Sequence, residues 1–324
     1  MKLSVAVIAG GPSVEAEVSR RSARGVVQAL QGAGHEATVL ELDEKLPAIL
    51  TQSQFEVAFP VTHGPMGEDG CLQGALEVLG LPYVGSGVLA SAAAAHKPTA
   101  RRLFQAAGLP VASAVELRAD DPIVDVVRQA REVLGERVVI KPAAGGSGLG
   151  VTRIDQPSPL ERWVQAVEAA LANDEGVLIE EFCAGLEVTC GVLEVTGKAI
   201  ALPPTQIEAQ AAEWYDFKSR YGSGGSVHRC PAPFSEERLQ FIQELAVAAH
   251  RALGARDLSR VDCVVGESRV TLLELNTLPG MTPTSLYPEA AAVHGVPFPQ
   301  LCDQLVRTAV GRLRRVPTAV ALPE

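Results

Sequence analysis

From Leu3 to Gly87 the chain alternates short apolar runs with longer amphipathic ones, and glycines mark most of the changes. Leu3–Ala9 reads as a strand. Val14–Gln31 reads as a helix, stopped by Gly32 and Gly34. Ala37–Leu42 and Val57–Pro60 read as further strands, Gly70–Leu79 as a helix, and Tyr83–Val84 as a short strand running into Gly85-Ser86-Gly87. Few folds accept that rhythm. Parallel strands need a long crossover, usually a helix, so the repeat specifies a parallel sheet with ligand loops at its strand ends.

The pattern then changes. Lys97–Ala107 reads as a helix closed by Gly108, and Leu109-Pro110-Val111 opens a new section. A strand at Val138–Lys141 runs into Pro142 and the glycine-rich Gly145–Gly150, and Val151–Ile154 is extended again. A helix at Pro159–Leu171 and strands at Val177–Glu181, Leu186–Val195 and Lys198–Leu202 follow. Ala211–Val227 is polar and glycine-rich, and helices at Glu236–Leu253 and Pro299–Leu313 flank two more strands. At 324 residues the chain has room for two or three domains.

Composition removes several classes of function. The net charge is −10 and no block of Lys and Arg occurs, which argues against a protein built to grip nucleic acid. No uncharged apolar stretch of about 18 residues exists to span a membrane. The apolar start runs directly into glycines, unlike a secretory leader. Cys71, Cys183, Cys190, Cys230, Cys263 and Cys302 are scattered with no C-x-x-C spacing, so they read as reduced thiols of a cytoplasmic protein.

The two strands within VDCVVGESRVTLLELNTLPG, Val261–Gly280, are apolar except at chosen places. Side chains alternate faces along a strand, so Glu274 and Asn276 share a face, as do Arg260 and Asp262. A turn near Glu267 and Ser268 sets Asp262 about opposite Glu274. Two carboxylates and an amide oxygen are hard donors suited to Mg²⁺ that also holds phosphates. A solvated face with the acids paired to Arg260 is the plainer alternative, but burying acids without a cation is costly.

Four other segments carry chemistry-bearing residues. KPAAGGSGLG follows a strand and lacks the Gly-Lys-Ser/Thr ending of a Walker loop, so it reads as a phosphate flap with Lys141 pointing into the site, or else as a plain hairpin tip. Glu15 stands in the first turn of a helix after Gly10 and Gly11, where the helix dipole alone accounts for an acid. HGPMGEDG, His63–Gly70, is an ordered polar loop at a strand end, with helix capping by Asp69 as the alternative. WYDFKSRY, Trp214–Tyr221, sets aromatics beside glycines, as a hinged lid would, or a surface loop with two aromatic anchors.

Taken in order, GGPSVEAEVS, HGPMGEDG, QGALEVLGLPYVGSG, KPAAGGSGLG, YDFKSRY, SRVD and LELNTLPGMTPTSLYP resemble the D-alanine–D-alanine ligases of the ATP-grasp superfamily over nearly the whole chain. The resemblance implies an α/β, three-domain ATP-grasp fold with an N-terminal parallel-sheet (preATP-grasp) domain. The expected domains are 1–96, 97–185 with the flap, and 186–324 with the lid and metal site. It also implies ATP, two Mg²⁺ ions (Mn²⁺ as a substitute), D-alanine as substrate and a homodimer.

Residue by residue, the resemblance implies that Glu15 holds the ammonium of the first D-alanine, with His63 near it. Ser147 and Tyr221 close the site in a network with Glu15. Lys97 and Lys141 bind phosphates, with the lid cation at Arg220. Glu180 takes the adenine edge, Glu181, Phe182 and Cys183 line the base, and Glu187 takes the ribose. Asp262, Glu274 and Asn276 ligate the metals. Arg260 and the Gly280 N–H stabilise the oxyanion, and Ser285 with the Leu286 N–H takes the second carboxylate. Three positions depart from the family pattern: Arg220 stands where lysine is usual, Gly148 where a second flap serine is usual, and Glu181-Phe182 where lysine and tryptophan are common. Those changes leave room for another acceptor, D-serine or D-lactate, while a non-catalytic nucleotide-binding regulator would be expected to have lost a metal ligand.

Overall fold

The computed structural model describes residues 1–146, 148–209 and 226–313. The first sheet is formed by β1 (Ser4–Ala9), β2 (Glu36–Glu41) and β3 (Val57–Pro60), all parallel, in the order β2-β1-β3. Helices α1 (Ala16–Gly32) and α2 (Leu46–Gln52) make the crossovers. Strand β1 is apolar on both faces because both are covered. Val5 and Val7 pack with Val26 and Leu30 of α1, whereas Ala6 and Ile8 pack with Leu46 and Leu50 of α2 and with Leu72 and Leu76 of α3 (Cys71–Val78). Tyr83 adds only a single parallel bridge to Ala58.

Helices α4 (Val88–Ala95) and α5 (Lys97–Ala106) lead out of this layer. The second sheet is antiparallel, in the order β4-β7-β5-β6, from β4 (Ala114–Arg118), β5 (Val138–Pro142), β6 (Thr152–Ile154) and β7 (Gly176–Glu181). Its core joins Ile140 and Ile179 to Val127 of α6 (Ile123–Leu134) and Trp163 of α7 (Leu160–Leu171).

The third sheet runs β11-β10-β8-β12-β13, with β9 also paired to β8. Its strands are β8 (Leu186–Val195), β9 (Lys198–Ala201), β10 (Thr205–Ala209), β11 (Ser226–Arg229), β12 (Leu258–Val265) and β13 (Val270–Asn276). One face packs on α8 (Glu236–Ala252) through Leu245 and Ala249 and on α5 through Ala100 and Phe104. On the other side Leu193 and Leu258 share a core with Tyr287 of α9 (Leu286–Val293) and Leu301 and Leu305 of α10 (Phe298–Leu313). That core also contains Val5 and Val7, so the C-terminal helix returns to cover the N-terminal sheet.

Apart from Tyr83–Val84, which forms the bridge and no strand, the expected strands and helices form within a residue or two of their expected ends. Helices α2, α4, α6 and α9 and strands β4, β10 and β11 form where no element was expected. The alanine run of α4 favours a helix but shows no polar–apolar period to mark it, and Pro288 reads as a breaker in α9, although a proline in a first turn removes no helical hydrogen bond. Among the described residues, no helix is long and apolar enough to cross a membrane.

Candidate active site

The opposed acids stand in register. Asp262 pairs with Glu274 and Arg260 with Asn276 across β12 and β13, and the ladder shifts between Asp262 and Cys263. The shift leaves Leu273 unpaired, a bulge of the kind that re-aims side chains beside functional sites. Arg260 grips Asp262 with both arms, Nε to Oδ1 at 2.9 Å and Nη2 to Oδ2 at 2.8 Å. Asn276 Nδ2 lies 3.3 Å from Asp262 Oδ2, and Lys97 Nζ 3.6 Å from Glu274 Oε2. Thr189 of β8, buried and paired with Asp262, donates its hydroxyl to Asp262 Oδ1 at 2.6 Å. A hydroxyl at an alternate position of an apolar strand was its only signal in the sequence.

Asp262 and Glu274 line a cavity of about 460 Å³, a size suited to a small-molecule ligand. Lys97, Lys141, Glu180, Glu181, Phe182, Cys183, Glu187 and Glu15 line it too. Lys141 on β5 pairs with Glu180 on β7 at 2.6 Å, and both side chains are buried. Strands β5 and β7 are adjacent, which brings the two together. Lys97, at the start of α5, also donates to the Gly145 carbonyl of the flap. Gly145 and Gly148 have φ values of 97° and 82°, which side chains other than glycine rarely adopt.

Strand β7 ends in an ionic frame. Glu181 Oε1 accepts from Arg269 at 2.9 Å and from the Ser113 N–H at 3.2 Å. Phe182 carries two guanidinium groups over its ring, from Arg137 at 4.5 Å and Arg153 at 4.3 Å. Arg153 lines the cavity and was missed, although its place two residues from Val151 puts both on one face. The Cys183 thiol lies 3.5 Å from Arg269 Nη2, and burial pushes its pKa up.

At the N-terminal end, Glu15 immediately precedes α1 and is buried, and its own N–H donates to Ser13 Oγ at 3.1 Å. Burial lowers the pKa of His63, but Glu68 and Glu15 outweigh it, and the net shift is upward. Glu68, to which the sequence assigned no role, lies 3.8 Å from His63 Nδ1 and accepts the Gly64 N–H at 2.8 Å. Ser285 stands at the N-cap position of α9 without capping it: its Oγ accepts the Thr282 N–H, which lies before the helix, at 3.1 Å, and Leu286 is the first residue of a helix whose first N–H groups have no partner within the helix. A Cβ at Gly280 would stand 3.1 Å from Ser285 Oγ, so Gly280 and Ser285 are neighbours. Ser147, Arg220 and Tyr221 lie outside the described residues.

Asp262, Glu274 and Asn276 share one face of the strand pair, Asp262 and Glu274 stand at the wall of the cavity that Lys97 and Lys141 also line, and two carboxylates with an amide oxygen suit a hard cation. Among the described residues no group of three or more His, Cys, Asp or Glu side chains gathers as a metal cluster.

The family models described as D-ala D-ala ligase C-terminus and N-terminus match residues 103–307 and 47–86. The D-alanine--D-alanine ligase of Desulforudis audaxviator is 40% identical over 95% of this chain and 99% of its own. D-alanine--D-alanine ligase B of Chromobacterium violaceum is 41% identical over 94% of this chain and 97% of its own. Among solved structures, the Coxiella burnetii D-alanine-D-alanine ligase superposes with a TM-score of 0.82 at 26% identity, covering 97% of this chain and 96% of its own. The Bacillus anthracis D-alanine--D-alanine ligase complexed with ATP superposes with a TM-score of 0.81 at 28% identity, covering 96% and 99%. The fold is therefore the ATP-grasp fold of these ligases, and likeness of this extent along nearly the full length establishes that the chain belongs to the D-alanine–D-alanine ligase family.

Proposed function

We propose that the protein joins two molecules of D-alanine into D-alanyl-D-alanine, using ATP, for peptidoglycan precursor synthesis. A carboxylate is a poor acylating agent. Transfer of the terminal phosphoryl group of ATP to the first D-alanine makes an acyl phosphate, from which phosphate can leave when the amine of the second D-alanine attacks. The observation that supports this reading most is the meeting, at one cavity, of Lys97, Lys141 and the Asp262–Glu274 pair with Glu15.

In this reading the catalytic work is positioning and charge neutralisation. Lys97 and Lys141 hold phosphate oxygens, and the Gly145–Gly150 flap, with Ser147, covers them. Glu180 and Glu187 take the polar edges of the nucleoside, beside Phe182, Glu181 and Cys183. Glu15, with His63 next to it, receives the ammonium of the first D-alanine. Arg260 and the Gly280 N–H face the oxyanion of the tetrahedral intermediate. Ser285 and the Leu286 N–H hold the second carboxylate, at a helix start where the dipole favours an anion. Arg220 and Tyr221 would close the site from the lid. Asp262, Glu274 and Asn276 would hold Mg²⁺, which when bound offsets phosphate charge as a Lewis acid. A cytoplasmic homodimer and the domain division 1–96, 97–185 and 186–324 belong to the same reading.

The deciding experiment is phosphate release from ATP and Mg²⁺ with D-alanine, D-serine, D-lactate and L-alanine offered singly and in pairs. The expected result is release that depends on D-alanine alone, with D-alanyl-D-alanine as product. Release only with a mixed pair would move the assignment to a different acceptor.

A further inference from the structure

Outside the cavity, Asp257 is a buried carboxylate with a partner on each oxygen. It stands just before β12, is 1% exposed, and has φ of 63°, a backbone conformation uncommon for a residue with a side chain. Its Oδ2 accepts the Gly85 N–H at 2.8 Å. Its Oδ1 pairs with Arg312 in the last turn of α10, and Arg312 Nη2 donates to the Tyr83 carbonyl at 2.6 Å. The preceding residue repeats the attachment. Arg256 Nε donates to the Gly85 carbonyl at 2.8 Å, and its guanidinium lies 5.0 Å from the centre of the Tyr83 ring.

Three elements therefore meet on one carboxylate, and two lead directly to the proposed chemistry. The Tyr83–Gly85 turn is bonded to β3, since the Val84 N–H donates to the Ala58 carbonyl at 3.0 Å, and β3 runs on to His63. Asp257 opens the strand that carries Arg260 and Asp262. Gly85 also rests on the chain just beyond Asn276. A Cβ there would lie 3.1 Å from Leu278 Cδ2 and 4.0 Å from the Thr277 carbonyl oxygen. Apolar contacts can slide by a fraction of an ångström at little cost. A buried anion with directed donors cannot, because each lost partner leaves charge unsatisfied.

We propose that Asp257, clamped by Arg312 and the Gly85 N–H, is a positioning residue that fixes the N-terminal substrate layer against the β12–β13 hairpin. The first D-alanine, held from the Glu15 and His63 side, thereby presents its carboxylate to phosphates held on the hairpin side. This rests on the reading of the site given above. The nucleotide is held by the second and third sheets, so its binding does not depend on the clamp.

The test compares wild type with Asp257→Asn and Arg312→Lys. The amide keeps an acceptor for Gly85 and removes the charge. The lysine keeps the charge and removes the second arm to Tyr83, which preserves a folded variant if Asp257→Asn does not fold. The expected result is a kcat/KM for D-alanine lowered roughly tenfold, an unchanged KM for ATP, and faster hydrogen exchange at the Gly85 amide. A lower Tm with both KM values and kcat unchanged would mean that the clamp only stabilises the fold, and would overturn the proposal. So would Gly85 exchange and kinetics that match wild type in Arg312→Lys. If wild type makes no dipeptide, the reading of the site fails by itself, and Gly85 exchange in the variants still decides whether the clamp exists.

Discussion

Asp262 on β12 faces Glu274 on β13 in direct register, with the ladder broken immediately after the pair. Like charges opposed across a strand pair destabilise it. Arg260, Thr189 and Asn276 contact the first acid, and Lys97 approaches the second. Such an arrangement gives up stability to keep two oxygens together at the cavity wall. Glu274→Gln relieves the repulsion, so its Tm should equal or exceed that of wild type. Its D-alanine-dependent phosphate release should fall by about 10²-fold or more. Chelation by EDTA should abolish release by the wild type, with recovery on added Mg²⁺. A variant as active as wild type would remove Glu274 from the site.

The Lys141–Glu180 pair is buried at 2.6 Å, so removing one member strands the other charge. Lys141→Met should cost about 3–5 kcal/mol of stability, together with a large loss of ATP affinity. The double variant Lys141→Met, Glu180→Gln should recover much of the stability and none of the affinity. Denaturant unfolding and nucleotide titration separate the two effects.

Gly64 has φ of 72°, and a Cβ there would lie 2.6 Å from Ser13 Oγ and 4.0 Å from Glu15 Oε2. Gly64→Ala therefore combines backbone strain of about 1–2 kcal/mol with displacement of the Glu15 loop. KM for D-alanine should rise while KM for ATP stays near the wild-type value. Steady-state kinetics with each substrate varied would show it, and a rise confined to ATP would contradict the placement of Glu15.

Two histidines shift in opposite directions. For His63, burial acts downward, but Glu68 and Glu15 prevail and raise the pKa. Its contribution to stability is thus complete below about 6.5 and is lost as pH rises through the raised value. For His250, burial lowers the pKa and outweighs Glu194, which lies 3.1 Å from Nε2, while Nδ1 and Ser259 Oγ are 2.7 Å apart. Its contribution is complete above about 6.5 and is lost as pH falls through the lowered value. His63→Gln should therefore lower Tm more at pH 6 than at pH 8, and His250→Gln more at pH 8 than at pH 5. Thermal melts of the three proteins across that range decide both.

The sequence by itself determined what depends on short-range periodicity. Strand–helix alternation specified a parallel first sheet, and period-two alternation put Glu274 and Asn276 on one face, but the four-residue turn, 266–269, by itself would set Asp262 opposite Leu273; the bulge after Asp262 brings it opposite Glu274. Motif order further identified the family. Tertiary structure alone decided which distant residues share an environment. Thr189 reaches Asp262 because β8 lies beside β12, and Arg153 reaches Phe182 because β6 folds back on β5. Arg312 reaches Asp257 and Tyr83 because α10 returns to the N-terminal core. Periodicity reports which face of an element is buried. It carries no record of what that face is buried against, because the partner is chosen by packing between elements tens to hundreds of residues apart.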